Sequence, residues 1–563
     1  MMKKILKKEN LILLAVLVQF GFLLIFNLTQ TRYMVNMDSS EYLVQVMQIV
    51  RQGTLLIRDY YYSTALMWDM PTLLAVPFYA ITKNIFLSWG IALDILLVLL
   101  FALLRKMTKD LRLTDMASYI VLLLVFTLYE HGLVDYGDML LINGGTYLVR
   151  ILLLINLLDL ILVIDHSKPA AAEWVQLGLG LAGFLICGIS TGIFAAGCII
   201  LPVCIYEGIH LLKAYSRPTA RRTNGLVFSL IALAASLVGV VANKLLGLPA
   251  SQESSKALVG AGQIMTQALN NLSGIFQLFG WPEGETALLS LKGIMVLCGF
   301  AAACVVIAAF VMAVIFAKKD IIVNEQKAYA GLMICAFAVN YGLFTLVDLS
   351  YGGGSCEYRY WLLVIIPAMA EVGIVIDHLS SSISKNIKAA VVVAIVLLLA
   401  LIDVYHDKDL MDYAGQGRAY AVVNEAAMDL ASENDVDVLY AYMDYYWGRQ
   451  ICTYSPEDME VFAVADDTED GLGNWTYDKL TMPRWGNFVK YDGSLEENRA
   501  ATEGKKVAVL VDTRVCNELK ELENEAAECL EISSEMSDSS KSAKKLADNI
   551  ELLIFDENPM EFE

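Results

Sequence analysis

The chain has 563 residues, 57 % of them hydrophobic, with a mean hydropathy of +0.54 and a formal charge of −20. Soluble domains are about 45–50 % apolar, so this excess excludes an ordinary soluble protein. The charge is uneven: from Tyr405 onward there are about 36 acidic and 14 basic residues, and the rest is nearly balanced. That division predicts a membrane body over 1–404 and an acidic soluble domain over 405–563. The acidic part repels phosphates, which excludes nucleic acid as a partner.

Taken in chain order, apolar runs of spanning length fall at Leu11–Leu28, Ile85–Leu104, Met116–Glu130, Tyr147–Ile164, Trp174–Ser190, Gly192–Leu211, Gly225–Leu246, Gly293–Ala317, Ala328–Val347, Trp361–Ile376 and Ile387–Ile402. The expectation is about eleven transmembrane helices. Pro71–Thr82 is apolar but too short to span, and reads as a helix dipping into the outer face. The first run follows Lys3 and Lys4 with no small-residue cleavage site after it, as in an uncleaved anchor.

Six Lys/Arg-bearing stretches then share one side: Lys3–Lys8, Arg105–Arg112, Lys168, Lys213–Arg222, Lys318–Lys327 and Lys385–Lys388. The excess of positive charge marks the cytoplasmic face. The expectation is a multi-pass cell-membrane protein with a cytoplasmic N-terminus and an extracytoplasmic C-terminal domain. The outer loops are the elaborated ones, and elaborated loops tend to carry sites.

The first outer loop, 31–84, opens with Asp38-Ser39-Ser40-Glu41-Tyr42. In a helix, Asp38 and Glu41 share a face. A carboxylate at a membrane boundary suits general-base work, because partial burial raises its pKa. The same four residues also read as a capping box with Asp38 as the cap. The segment Tyr42–Val50 reads as an amphipathic helix lying on the outer leaflet.

The second outer loop holds Glu130, His131, Asp135 and Asp138. Such a group can bind a divalent metal or orient a hydroxyl, or be a solvated loop; Asp135 and Asp138 are the candidate ligands. Arg359, before the tenth run, can pair with a phosphate. Lys244 is a second phosphate candidate, and Arg150 should face the bundle or the outer water.

In the tail, strands are expected at Val436–Met443, Met459–Val464, Val507–Val511 and Ile550–Phe555, and helices at Ala419–Leu430 and Cys516–Leu530. Ser533–Lys545 reads as a loop. Trp475, Trp485 and the Asp444–Arg449 stretch are sugar-stacking or core aromatics.

The pattern resembles the GT-C superfamily of membrane glycosyltransferases, which includes protein O-mannosyltransferases and aminoarabinose transferases. The likeness is carried by Met37-Asp38-Ser39-Ser40-Glu41-Tyr42 after the first span, by Asp59-Tyr60-Tyr61 followed by Met70-Pro71, by Glu357-Tyr358-Arg359-Tyr360 followed by Pro367, and by Tyr445-Tyr446-Trp447. The second loop departs from the Asp-x-Asp or Glu-x-Asp of some members, because Asp135-Tyr136-Gly137-Asp138 is one residue longer.

The resemblance implies a polytopic α-helical, GT-C-like membrane protein with a C-terminal soluble α/β domain. It implies inverting transfer of a sugar from a polyprenyl-phosphate donor to a hydroxyl of a glycan, lipid or protein acceptor at the outer face. Asp38 and Glu41 would be catalytic; Asp59, Tyr60, His131, Asp135, Asp138, Arg359, Tyr360 and Lys244 would bind substrate. Membrane lipid is a further partner, and a divalent metal a possible cofactor. The alternatives are a transporter or flippase of a lipid-linked glycan, suggested by Asp94 and Asp159 inside apolar runs, and a non-catalytic scaffold for envelope assembly.

Overall fold

A computed structural model describes residues 8–57, 60, 66–132, 135–164, 171–214, 221–247, 258–282, 284–347, 358–379, 384–442, 449–456, 459–463, 503–512, 540 and 542–556. Asp59, Glu357, the Tyr445–Trp447 stretch, Trp475, Trp485 and the helix expected at Cys516–Leu530 lie outside the described residues.

The described helices are α1 (Lys8–Met34), α2 (Met37–Gln52), α3 (Thr72–Thr82), α4 (Ile85–Asp110), α5 (Asp115–Phe126), α6 (Leu148–Ile164), α7 (Ala171–Thr191), α8 (Leu201–Ala214), α9 (Arg221–Leu246), α10 (Ile264–Gln277), α11 (Leu291–Lys318), α12 (Asn324–Leu346), α13 (Leu362–Leu379) and α14 (Lys385–Glu433). Eight of them, α1, α4, α7, α9, α11, α12, α13 and α14, are long and apolar enough to cross a membrane. Helices also occupy the other three expected places, but α5, α6 and α8 have only 12, 17 and 14 residues. Length and composition thus identify eight candidate spans among the described residues, and the other three expected places are helical but shorter, with α8 continuing from a π-helical turn at Ala196–Ile200. The 11 residues of α3 rise about 16 Å, too little to cross hydrocarbon.

Helix α2 does not lie on a leaflet. Every residue from Ser39 to Ile49 is buried. Leu43, Val46 and Met47 join the core of the helical body. Val44 and Ile49 join a second core containing Ala427, Leu439, Ile451 and Val461 from the C-terminal part. Both faces of the helix are apolar, so both are covered, and α2 becomes the joint between the two parts. Gln45 Nε2 donates to the Leu66 carbonyl at 2.7 Å, and an Arg51 guanidinium nitrogen to the Ser455 carbonyl at 2.7 Å.

Helix α14 is the second departure. The last apolar run and the helix expected at Ala419–Leu430 are one element of 49 residues. Neither part contains a proline, and the intervening Gly415 and Gly417 each weaken a helix by only about 1 kcal/mol. The shaft lies along α1: Gln19 Nε2 donates to Asp407 at 3.1 Å, and Arg32 pairs with Glu425.

The sheet comprises β1 (Val438–Tyr442), β2 (Glu460–Ala463), β3 (Val507–Asp512), β4 (Ser542–Ala547) and β5 (Ile550–Phe555), in the order β2-β1-β3-β5-β4. β1 runs parallel to both neighbours, whereas β5 is antiparallel to β3 and β4. β4 corrects the loop expected through Lys545. Its Lys544 and Lys545 carry no apolar signal because it is an exposed edge strand, and lysines on an edge discourage pairing with other chains.

Candidate functional site

The site begins where α1 gives way to α2. Asn36 caps α2: its side chain accepts from the amides of Asp38 (3.1 Å) and Ser39 (2.9 Å), while Ser39 Oγ accepts from the Asn36 amide at 2.8 Å. The capping box is therefore Asn36 with Ser39, and Asp38 is not the cap. Asp38 instead stands in the first helical turn, half-buried, with Glu41 and Tyr42 one turn further and buried.

Tyr42 organises the region. Its ring stacks on Trp89 with centroids 6.3 Å apart, and Trp89 Nε1 donates to the Asn143 carbonyl at 2.5 Å. The phenol is buried among the charges of Asp38, Glu41, Arg359 and Arg150. Burial first, and the two carboxylates second, hold its pKa well above the usual phenol value, against the pull of the two arginines. Tyr147 is a parallel case: burial and Tyr360 raise it, and Arg359 and Arg150 oppose them. The charges of Asp38 and Arg359, 321 positions apart in sequence, thus both act on the same phenol.

The cationic wall is ordered by aromatics. Arg150 lies over the rings of Tyr147 (5.0 Å) and Phe194 (5.4 Å), and Arg359 over Tyr360 (5.9 Å). Tyr360 itself packs against Phe194 and Phe344. Arg150 Nε donates to Asp69 at 2.7 Å; Asp69 also accepts from Ser190 Oγ at 2.5 Å and Thr191 Oγ1 at 3.0 Å. Asp69 is completely buried. Sequence reading missed it, although an acid just before Met70-Pro71 was a usable signal.

The second loop is folded tightly on itself. Backbone bonds tie Gly137 to Glu130 (2.9 Å), Gly145 to Asp138 (2.8 Å) and Tyr147 to Met139 (2.9 Å), and residues 137–141 form a π-helical turn. Asp138 Oδ2 accepts from the Gly132 amide and Oδ1 from Asn143 Nδ2, both at 2.8 Å. Both carboxylate oxygens brace the loop, and burial pushes the group up to about 7. Asp135 accepts from the Tyr358 hydroxyl, which fixes the loop beside Arg359.

Asp138 is engaged by the loop through both oxygens. Among the described residues the group that can close around a metal ion is Glu130, His406 and Asp409.

The other expected site residues are dispersed. Tyr60 is fully buried in the second core and donates to the Glu41 carbonyl at 2.6 Å, as a packing residue does. His131 contacts Asp409 at 3.2 Å. Lys244 is exposed in the last turn of α9. Asp94 accepts from Asn27 at 3.3 Å, and Asp159 is held by Lys106 and by Gln176 at 2.8 Å. A cavity of about 450 Å³ opens between Arg32, Tyr79, Asn84, Glu425 and Tyr454; neither Asp38 nor Arg359 lines it.

No family model matches the chain, and no curated protein matches it. A solved structure that aligns with it is the Archaeoglobus fulgidus oligosaccharyltransferase in complex with Zn and sulfate. The alignment has 12 % identity and a TM-score of 0.41, and covers 88 % of this chain and 67 % of that one. A likeness this slight carries no argument, so function is argued from this chain's own residues.

Proposed function

We propose that the protein is an inverting glycosyltransferase that moves a sugar from a polyprenyl-phosphate donor to an acceptor hydroxyl on the extracytoplasmic side of the membrane. The observation that carries this reading is that the charges of Asp38, Arg359 and Arg150 all act on the buried phenol of Tyr42, while the two guanidiniums lie over the rings of Tyr147 and Tyr360. A carboxylate and two guanidiniums around one buried donor group suit a reaction that removes a proton at one end and releases a phosphate at the other.

In this reading Asp38 takes the proton of the acceptor hydroxyl as its oxygen attacks the anomeric carbon. The bond from that carbon to the phosphate oxygen breaks, and its electron pair leaves on the lipid phosphate. Arg359 and Arg150 stabilise the developing charge, in a setting where burial strengthens the interaction. One in-line displacement inverts the configuration. Tyr42, held protonated, donates a hydrogen bond to the substrate oxygen nearest it. Asp38 returns its proton to water after the product leaves. Glu41 is the neighbouring acid that shapes the field at Tyr42.

The test is Asp38→Asn in proteoliposomes supplied with a polyprenyl-phosphate sugar and a soluble acceptor. Transfer should fall by about 10²–10⁴-fold, with insertion and unfolding temperature unchanged. Unchanged transfer in a correctly inserted variant removes Asp38 as the base. Arg359→Ala should lower kcat as well as raise the donor KM, because it removes charge stabilisation from the leaving phosphate.

A further inference from the structure

A second polar assembly lies where the second loop meets α14. Glu130 lies in that loop shortly after α5, and His406 and Asp409 occupy one face of α14 at i and i+3. One ligand atom from each, an imidazole nitrogen and two carboxylate oxygens, lies within 4.8 Å of the other two. The three line a cavity of about 90 Å³ together with Lys292, Phe279 and Gly280. That volume holds an ion and a water. Gly280 in the cavity wall has φ +83, a conformation that favours glycine, and a Cβ there would crowd the Tyr129 carbonyl at 3.0 Å beside Glu130.

Two further features point to a ligand. His406 is 5 % exposed, and its Nδ1 has no hydrogen-bond partner. A buried imidazole nitrogen left in that state is costly unless something fills the site. His131 Nε2 lies 3.2 Å from Asp409 Oδ2, and ligating carboxylates are commonly hydrogen-bonded by an outer residue in this way. Among the described residues Lys292 is the one cation lining the cavity; it is exposed, and Asp135 adds negative charge beside Glu130.

We propose that Glu130, His406 and Asp409 bind a zinc ion, with His131 as a positioning residue behind Asp409 and a water in the fourth place. Mixed imidazole and carboxylate donors select a first-row transition ion over magnesium or calcium, which take oxygen donors alone. The ion would fasten the loop that holds Tyr358 beside Arg359 to the helix that leads into the sheet. The site stands on its own residues and does not depend on the sugar-transfer reading.

The experiment uses the full-length protein in detergent, stripped with a chelator and dialysed against zinc. Wild type should retain about one zinc per chain by elemental analysis. Its unfolding temperature should rise with zinc, and cobalt should give visible d–d absorption. His406→Ala and the double variant Glu130→Gln/Asp409→Asn should lose the ion, the temperature rise and the cobalt spectrum. His131→Ala should weaken binding by about 10–100-fold. His210→Ala, on α8 away from the cavity, should bind as wild type. A wild-type protein that is folded but retains no stoichiometric zinc overturns the proposal. So does a folded His406→Ala variant that binds zinc and gives the wild-type cobalt spectrum.

Discussion

Asp69 and His406 are both buried polar groups, and their surroundings are opposites. Asp69 is saturated: Arg150, Ser190 and Thr191 occupy its oxygens. His406 sits beside two carboxylates with a nitrogen left over. The first assembly is complete as folded and holds α6, α7 and the approach to α3 in place. The second combines an unpartnered imidazole nitrogen with two carboxylates at one small cavity, and it is that combination, rather than the lone nitrogen, that suits a ligand.

The largest expected effect breaks the saturated side. Asp69→Ala strands the Arg150 guanidinium in a buried site, and removing one member of such a pair costs about 3–5 kcal/mol. Chemical or thermal unfolding in detergent should show that loss, and the variant should yield poorly. A loss below 1 kcal/mol would mean that Arg150 reaches water.

Asp138 gives the next effect and a direction in pH. It titrates near 7 in the fold, against 3.8 for the free group, because burial disfavours its charge. A folded pKa above the unfolded one means that the native state binds more protons between those values. This contribution to stability is complete below about pH 4 and is lost as pH rises through 7. Asp138→Asn should flatten that part of the curve while keeping the bond from the Gly132 amide. If the unfolding temperature of the variant falls between pH 5 and pH 7.5 as steeply as in wild type, Asp138 is not the group responsible.

The smallest effect sharpens the open side. Without zinc, His406→Leu removes a buried unsatisfied nitrogen and should be neutral or stabilising by about 1 kcal/mol. With zinc present, the order should reverse. A variant destabilised in both conditions would place His406 with Asp69, as a completed structural group.

Hydropathy made the long helices legible, and short strand-like apolar runs made four of the five strands legible. What it concealed was partnership. Tyr42–Val50 carries an amphipathic pattern, but it cannot announce that Val44 and Ile49 meet a second core from 370 or more positions away. Strand β4 has no apolar alternation because it is an exposed edge. Asp38 and Arg359 were each singled out, yet their common neighbour Tyr42 depends on how α2 and the turn at Tyr358–Trp361 pack. Glu130 and His406 are 276 positions apart, and no spacing rule relates an acid in one loop to a histidine in a distant helix.

The continuous α14 has a mechanical meaning. Its last 30 residues project roughly 45 Å beyond Asp403 as a single rod. The rod is fastened along its length, to the Leu128 amide through Asp403 at 3.2 Å and to α1 through Asp407 and Glu425, so the spans and the sheet are joined through one continuous element.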